Sequence, residues 1–249
     1  MKTRTRRPHL RNEILIVVGV LMTMASNYVQ AQTTEVIGRL TRYEVKPDSQ
    51  EQFRRSLSDY VSQALAQESN IQAEAYFERD NQSVLWLIER WRNRNELERF
   101  GNSPQSKAID SLKGKALNGH AETYYLTDLE PISKQQWRRA AKAEDHPLTQ
   151  MLFVDSKEGT QDEFKGTYHV AMPQFRREPG VVTYQLSQLL SEDTKFVTYE
   201  KFRSEEAFQY HLKFPPIKPV IDYLHTSIKE QPFEKGLHTL VEFAPLTRD

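Results

Sequence analysis

Apolar residues recur at steps of four, four, three and one along Phe53, Leu57, Val61, Ala64 and Leu65, which places them in one stripe on a helix. The stripe follows Lys46-Pro47-Asp48, which stops a loosely alternating strand over 36–45, with Asp48 or Ser49 as the expected N-cap. Phe164, Tyr168, Met172 and Phe175 repeat the stripe after Thr160, and Pro173 removes one backbone donor near its end. A turn follows each stripe, Glu68-Ser69-Asn70 and Glu178-Pro179-Gly180. Paired strands come next, over 71–79 and 84–91 and over 181–189 and 195–202. The polar turns Asp80-Asn81-Gln82 and Ser191-Glu192-Asp193 join them as hairpins. A second helical region starts near Asn95 or Ser204 and is expected to break at Pro104 or at Pro215-Pro216. A last strand closes each set, over 122–129 and 237–243.

The recurrence is a duplication. KPDSQEQF at 46–53 returns as KEGTQDEF at 157–164, an offset of 111 that also pairs Glu89 with Glu200 and Trp91 with Phe202. A repeat of that length is a domain rather than a solenoid unit. Each copy reads βαββαβ, the ferredoxin-like split unit, whose sheet carries helices on one face only. Val84-Leu85-Trp86-Leu87-Ile88 and Phe196-Val197-Thr198-Tyr199 are apolar at both parities, so the open face must be covered too. The simplest cover is the other copy. The expected architecture is α+β: tandem ferredoxin-like domains forming an intramolecular α+β barrel. The domains are placed at 34–130 and 148–246, joined over 131–147 by a polar helical linker containing QQWRRAAKAE.

The amino terminus reads as a leader. Lys2, Arg4, Arg6, Arg7 and Arg11 precede an apolar run over 14–25 and a small-residue site ending at Ala31. This predicts a signal peptide over 1–31 and an exported, periplasmic or secreted protein. A retained anchor is the alternative, although the run is shorter than the roughly 20 apolar residues of a bilayer span. Thr5-Arg6-Arg7-Pro8-His9-Leu10-Arg11 loosely resembles a twin-arginine export motif, with His9 in place of the usual aromatic. The full chain holds 34 basic and 34 acidic side chains; without the leader 29 face 33. Such a balance gives no positive field for nucleic acid. The absence of cysteine excludes disulfides, a thiolate nucleophile and iron–sulfur clusters. No close histidine pair, P-loop, G-x-S-x-G elbow or dinucleotide fingerprint occurs.

FRREPGVVTYQL followed by FVTYEKFRSEEAFQYHL in the second copy, and LAQESNIQAEAY followed by LWLIERWRNRNELERF in the first, resemble the antibiotic biosynthesis monooxygenase (ABM) domain of the dimeric α+β barrel superfamily. The resemblance covers nearly all of the chain beyond the leader. It implies two copies packed sheet against sheet around a central cavity. It also implies a monooxygenase that oxygenates a quinol or phenolic small molecule with dioxygen and without any cofactor or metal. An electron-rich phenolate can reduce dioxygen itself, so such a protein needs a base, donors to the anion and a dry pocket. The resemblance makes His211 the candidate catalytic base; its counterpart in the first copy is Phe100. Tyr184, Tyr199 and Glu200 are the candidate substrate-binding residues, with Tyr184 and Tyr199 set opposite Glu74 and Ile88. Trp86 and Trp91 could wall a pocket for a flat ligand. The bland alternatives are a satisfied core histidine, a structural ion pair at Glu89 and Glu200, and ordinary aromatic packing. A non-catalytic small-molecule-binding or stress-response protein is the rival function. Haem degradation is a third, but the places of the relatives' iron-binding histidine hold Asp110 and Ile221, with His225 one turn further on.

Overall fold

The computed structural model describes residues 35–245 apart from residue 143; the expected leader over 1–31 lies outside them. Strand β1 (Ile37–Glu44), helix α1 (Gln50–Leu65), β2 (Asn70–Glu78), β3 (Val84–Trp91), α2 (Arg94–Gly101), α3 (Pro104–Ala116) and β4 (Glu122–Leu129) make the first repeat. A short helix α4 (Lys134–Trp137) stands between the repeats. Then β5 (Leu148–Asp155), α5 (Gln161–Phe175), β6 (Val181–Leu189), β7 (Lys195–Phe202), α6 (Glu205–His211), α7 (Lys218–Thr226), α8 (Pro232–Lys235) and β8 (Leu237–Ala244) make the second.

The stripe read from the sequence is the buried face of α1: Phe53, Leu57, Val61 and Ala64 are inaccessible, and Tyr60 joins them. Ser49 precedes α1, yet neither it nor Asp48 caps the helix through its side chain. Asn93, Ser103 and Ser204 do cap, each accepting from a backbone N–H three residues on. The second helical region does break at Pro104: α2 ends at Gly101 and Pro104 is the first residue of α3, where a proline gives up no intrahelical bond.

Each repeat forms a four-stranded antiparallel sheet, and the two join through β2–β8 and β4–β6 into one closed barrel of order β1-β3-β2-β8-β5-β7-β6-β4. Two cores lie between a sheet and its helices, around Phe53 and around Phe164. A third draws on every strand and on none of the long helices, with Leu40, Tyr76, Trp86, Leu126, Met151, Leu189, Tyr199 and Leu240 among its members; it fills the barrel.

The linker departs from expectation. The helix over 131–147 stops after four residues, and Trp137 turns into the barrel, 2 % exposed. Its ring lies 3.8 Å from the Arg90 guanidinium carbon and 5.6 Å from the Tyr199 ring, closing one barrel end. Arg138 then donates to the carbonyls of Leu65, Asn70 and Ile71, bonds no sequence window could register. Among the described residues no helix is long and apolar enough to cross a membrane.

Candidate functional site

The expected site residues fall in two layers. His211, Tyr184 and Glu200 lie in the helix-side core of the second repeat. His211 is 1 % exposed, its Nδ1 lies 2.8 Å from Glu178 Oε1, and its ring is packed by Phe175, Tyr184 and Phe202. The Tyr184 hydroxyl donates to Glu200 Oε1 at 3.1 Å. Burial pushes Tyr184 well above the ordinary phenol value and also raises the Glu200 carboxyl, the latter opposed by His211. The side chains of these three residues meet one another within the core.

The first repeat solves the same problem with different residues. Glu89, wholly buried, accepts from Arg39 Nη2 at 2.7 Å, from the Tyr60 hydroxyl at 3.0 Å and from Trp91 Nε1 at 2.5 Å. Strand pairing sets Glu89 opposite Ala73 and Glu200 opposite Tyr184, so Tyr184 corresponds to Ala73 and not to Glu74. The tyrosine that serves the glutamate comes from the helix in one copy, Tyr60 against Ala171, and from the strand in the other, Ala73 against Tyr184. The other partners change as well: Arg39 on β1 faces Glu89 where the second copy has Gln150, and His211, bonded to Glu178, stands where the first has Phe100. The mismatch at Phe100 and His211 belongs to how each copy partners its buried glutamates, because a buried carboxylate is costly without a partner.

Tyr199 points the other way, into the barrel. Its hydroxyl donates to Glu74 Oε2 at 2.5 Å and lies 2.8 Å from the Tyr76 hydroxyl. Lys201 bonds Glu74 at 3.0 Å and Glu242 at 2.6 Å; the equivalent Arg90 bonds Asp128 at 2.8 Å. These paired charges fill the barrel end under Trp137.

The opposite end is open. A cavity of about 650 Å³ enters the barrel there, walled by Trp86, Tyr124, Phe153 and His238. This volume suits a small ligand. The Trp86 and Tyr124 rings stack with centroids 6.5 Å apart, and Phe153 meets Tyr124 at 5.4 Å and His238 edge-on at 5.7 Å. Glu78 Oε1 accepts from Trp86 Nε1 and from His238 Nδ1, each at 2.9 Å. Burial works to raise the Glu78 carboxyl, but the bonds from His238 and Trp86 outweigh it and hold the group below the ordinary carboxylate range. An ionised carboxylate only accepts, so the proton of neutral His238 sits on Nδ1 and Nε2 keeps its lone pair. Burial, aided by Glu122, pushes the Tyr124 phenol up to about 12. At the rim Arg42 pairs with Glu122, Lys195 with Glu192, Lys229 with Asp155 and Lys235 with Glu230.

Of the residues expected from sequence, only Trp86 lines this cavity. Glu78, Tyr124, Phe153 and His238 were missed. A drift in the repeat masked the signal: Leu126 pairs with Gly38 as Leu240 pairs with Thr149, so the last strands correspond at an offset of 114 and not 111. At that offset His238 faces Tyr124 in the comparison, the same kind of mismatch that drew attention to His211. The haem positions hold Asp110, exposed and paired with Lys113, and Ile221, half-buried against the core; His225 is exposed on α7.

The sequence profile of the family described as antibiotic biosynthesis monooxygenase matches the chain twice, over 36–110 and 147–221, together more than half of its length. The chain belongs to the ABM family. Solved structures agree in fold. A "putative monooxygenase" of Lactobacillus acidophilus NCFM superposes with a TM-score of 0.69 at 15% identity, over 84% of this chain and 94% of that one. One of Fusobacterium nucleatum gives 0.71 at 14%, over 84% and 93%. An anthrone oxidase-like protein gives 0.58 at 13%, over 84% and 92%. No curated protein matches the chain. This ABM protein carries both family domains, and with them one barrel, in a single polypeptide.

Proposed function

We propose that this ABM protein uses dioxygen to oxygenate an uncharged, flat phenol or hydroquinone in the open barrel end, without a cofactor. One observation carries the reading: an aromatic-walled cavity of ligand size in a barrel of the monooxygenase family. Trp86, Tyr124 and Phe153 offer π faces to a flat ring, and every cation named at the rim already has an acidic partner, which disfavours an anionic substrate. In the overall reaction a hydroquinone and dioxygen give a hydroxyquinone and water. One oxygen atom enters the ring, the other leaves as water, and the substrate supplies all four electrons.

His211 lies outside this cavity, and its proposed part is structural, as the buried hydrogen-bond partner of Glu178. The reading is tested by oxygen uptake across a panel of hydroquinones, with labelled dioxygen to follow the atoms. One label in the quinone and one in water is the expected result. A tightly retained small molecule with no turnover favours the rival, a binding protein of the same fold. The basic and apolar run over 1–25 supports export in this proposal. Terminal sequencing of protein from its own source should find residue 32 first, and retention of residues 1–31 contradicts export.

A further inference from the structure

We infer that Glu78 and His238, one from each repeat, form the proton-transfer centre of this cavity, with His238 the catalytic base and Glu78 its positioning residue. The inference rests on the oxygenase reading above. β2 and β8 are neighbours across the seam between the repeats, and Glu78 pairs directly with Leu240, so the glutamate on β2 reaches the histidine two residues before it on β8. Neither repeat could form the pair alone. The equivalent of Glu78 is Leu189, since Leu126 pairs with Leu189 as Leu240 pairs with Glu78, and the equivalent of His238 is Tyr124. The pseudo-symmetric place thus holds leucine and tyrosine, and the barrel end has one dyad only.

Three observations separate this histidine from a core one. Its side chain is 20 % exposed and Glu78 is 19 % exposed, whereas His211 and Glu178 are sealed at 2 % and 1 %. It lines the cavity, with Trp86 and Phe153 edge-on to its ring at 5.3 and 5.7 Å. Glu78 is also fixed by the Trp86 indole, so the carboxylate cannot swing away from the imidazole. A carboxylate bound to Nδ1 orients Nε2 and stabilises the cation formed when Nε2 takes a proton.

The step balances. Nε2 takes the phenolic proton, leaving a phenolate. The phenolate passes one electron to dioxygen, and the two radicals join through a carbon–oxygen bond at the ring carbon beside the oxygen. The terminal peroxide oxygen takes the proton back from Nε2. Loss of the ring C–H proton and cleavage of the O–O bond then expel water and leave a carbonyl. His238 ends the cycle neutral.

The test uses the full chain and the best hydroquinone of the panel. Binding is followed separately, by tryptophan emission with the matching methoxyphenol under argon, where no dioxygen is present to oxidise it. His238→Ala is expected to bind the methoxyphenol like the parent and to lose about 100-fold or more in kcat, the usual scale of general-base catalysis. Added imidazole should restore part of the rate. His238→Gln, closer in volume, guards against a folding defect. Glu78→Gln should lower kcat about tenfold with KM within about twofold, and Glu78→Asp should recover part of it. If the parent turns over and His238→Ala and His238→Gln match it, the dyad is overturned while the oxygenase reading stands. If the parent binds the methoxyphenol but consumes no oxygen with any hydroquinone, the oxygenase reading fails, and the dyad fails with it.

Discussion

Glu89 and Glu200 occupy equivalent places and should respond oppositely to substitution. Glu89 is held by a guanidinium; although burial works to lower the Arg39 pKa, the carboxylate beside it holds it well above its ordinary value. Glu89→Ala strands that cation and is expected to cost about 3 kcal/mol or more in urea unfolding. Glu200 carries a carboxyl raised by burial, so the folded state keeps its proton at a pH where the unfolded chain has lost it. Its contribution therefore turns against folding as pH rises from the ordinary 4.5 towards the raised value. Glu200→Gln should flatten the pH dependence of Tm there and leave stability at neutral pH unchanged or improved. Glu78 has the opposite sign. Its depressed carboxyl stabilises the fold above 4.5 and loses that contribution as pH falls through the lower folded value. Tm of Glu78→Gln measured against the parent should show a deficit above that pH which disappears in stronger acid.

These environments were only half legible in the sequence. That a carboxylate was kept in both copies could be read at once. Which group served it could not, because Arg39 reaches Glu89 only through the β1–β3 pairing and Tyr184 reaches Glu200 only through the β6–β7 pairing.

At the scale of elements, the α1 stripe follows the sequence pattern closely because burial of one face fixes its period, and the hairpins do so because burial of both faces of β3 and β7 favours apolar residues at both parities. The linker does not. Its residues favour helix locally, and what ends the helix is Trp137 burying itself against Arg90 while Arg138 bonds the first repeat. Trp137→Ala should cost about 3 to 5 kcal/mol, as for other large buried aromatics. It should also weaken hydrogen-exchange protection at that barrel end, around Arg90, without altering methoxyphenol binding at the other. Loss of binding in a folded Trp137→Ala protein contradicts the assignment of the open end as the ligand entrance.

The strands of the described residues from 36 onward form one sheet closed through two seams, β2–β8 and β4–β6. Residues from both repeats fill the barrel, so the repeats should unfold together: far-UV circular dichroism and tryptophan emission should give one coincident urea transition. Two resolved transitions contradict a shared core. The duplication was plain in the sequence at an offset of 111, and it announced both the fold and the intramolecular barrel. The active end was hidden because the offset drifts to 114 by the last strand, which concealed the match of His238 with Tyr124. A site shared between repeats also cannot be found by asking which copy holds it. The central claim is that chemistry belongs to the barrel end and not to the helix-side core. Oxygen uptake with one hydroquinone, measured side by side for the parent, His238→Gln and His211→Gln, tests it most directly. The account predicts that folded His211→Gln keeps turning over and His238→Gln does not; the reverse order of rates contradicts it.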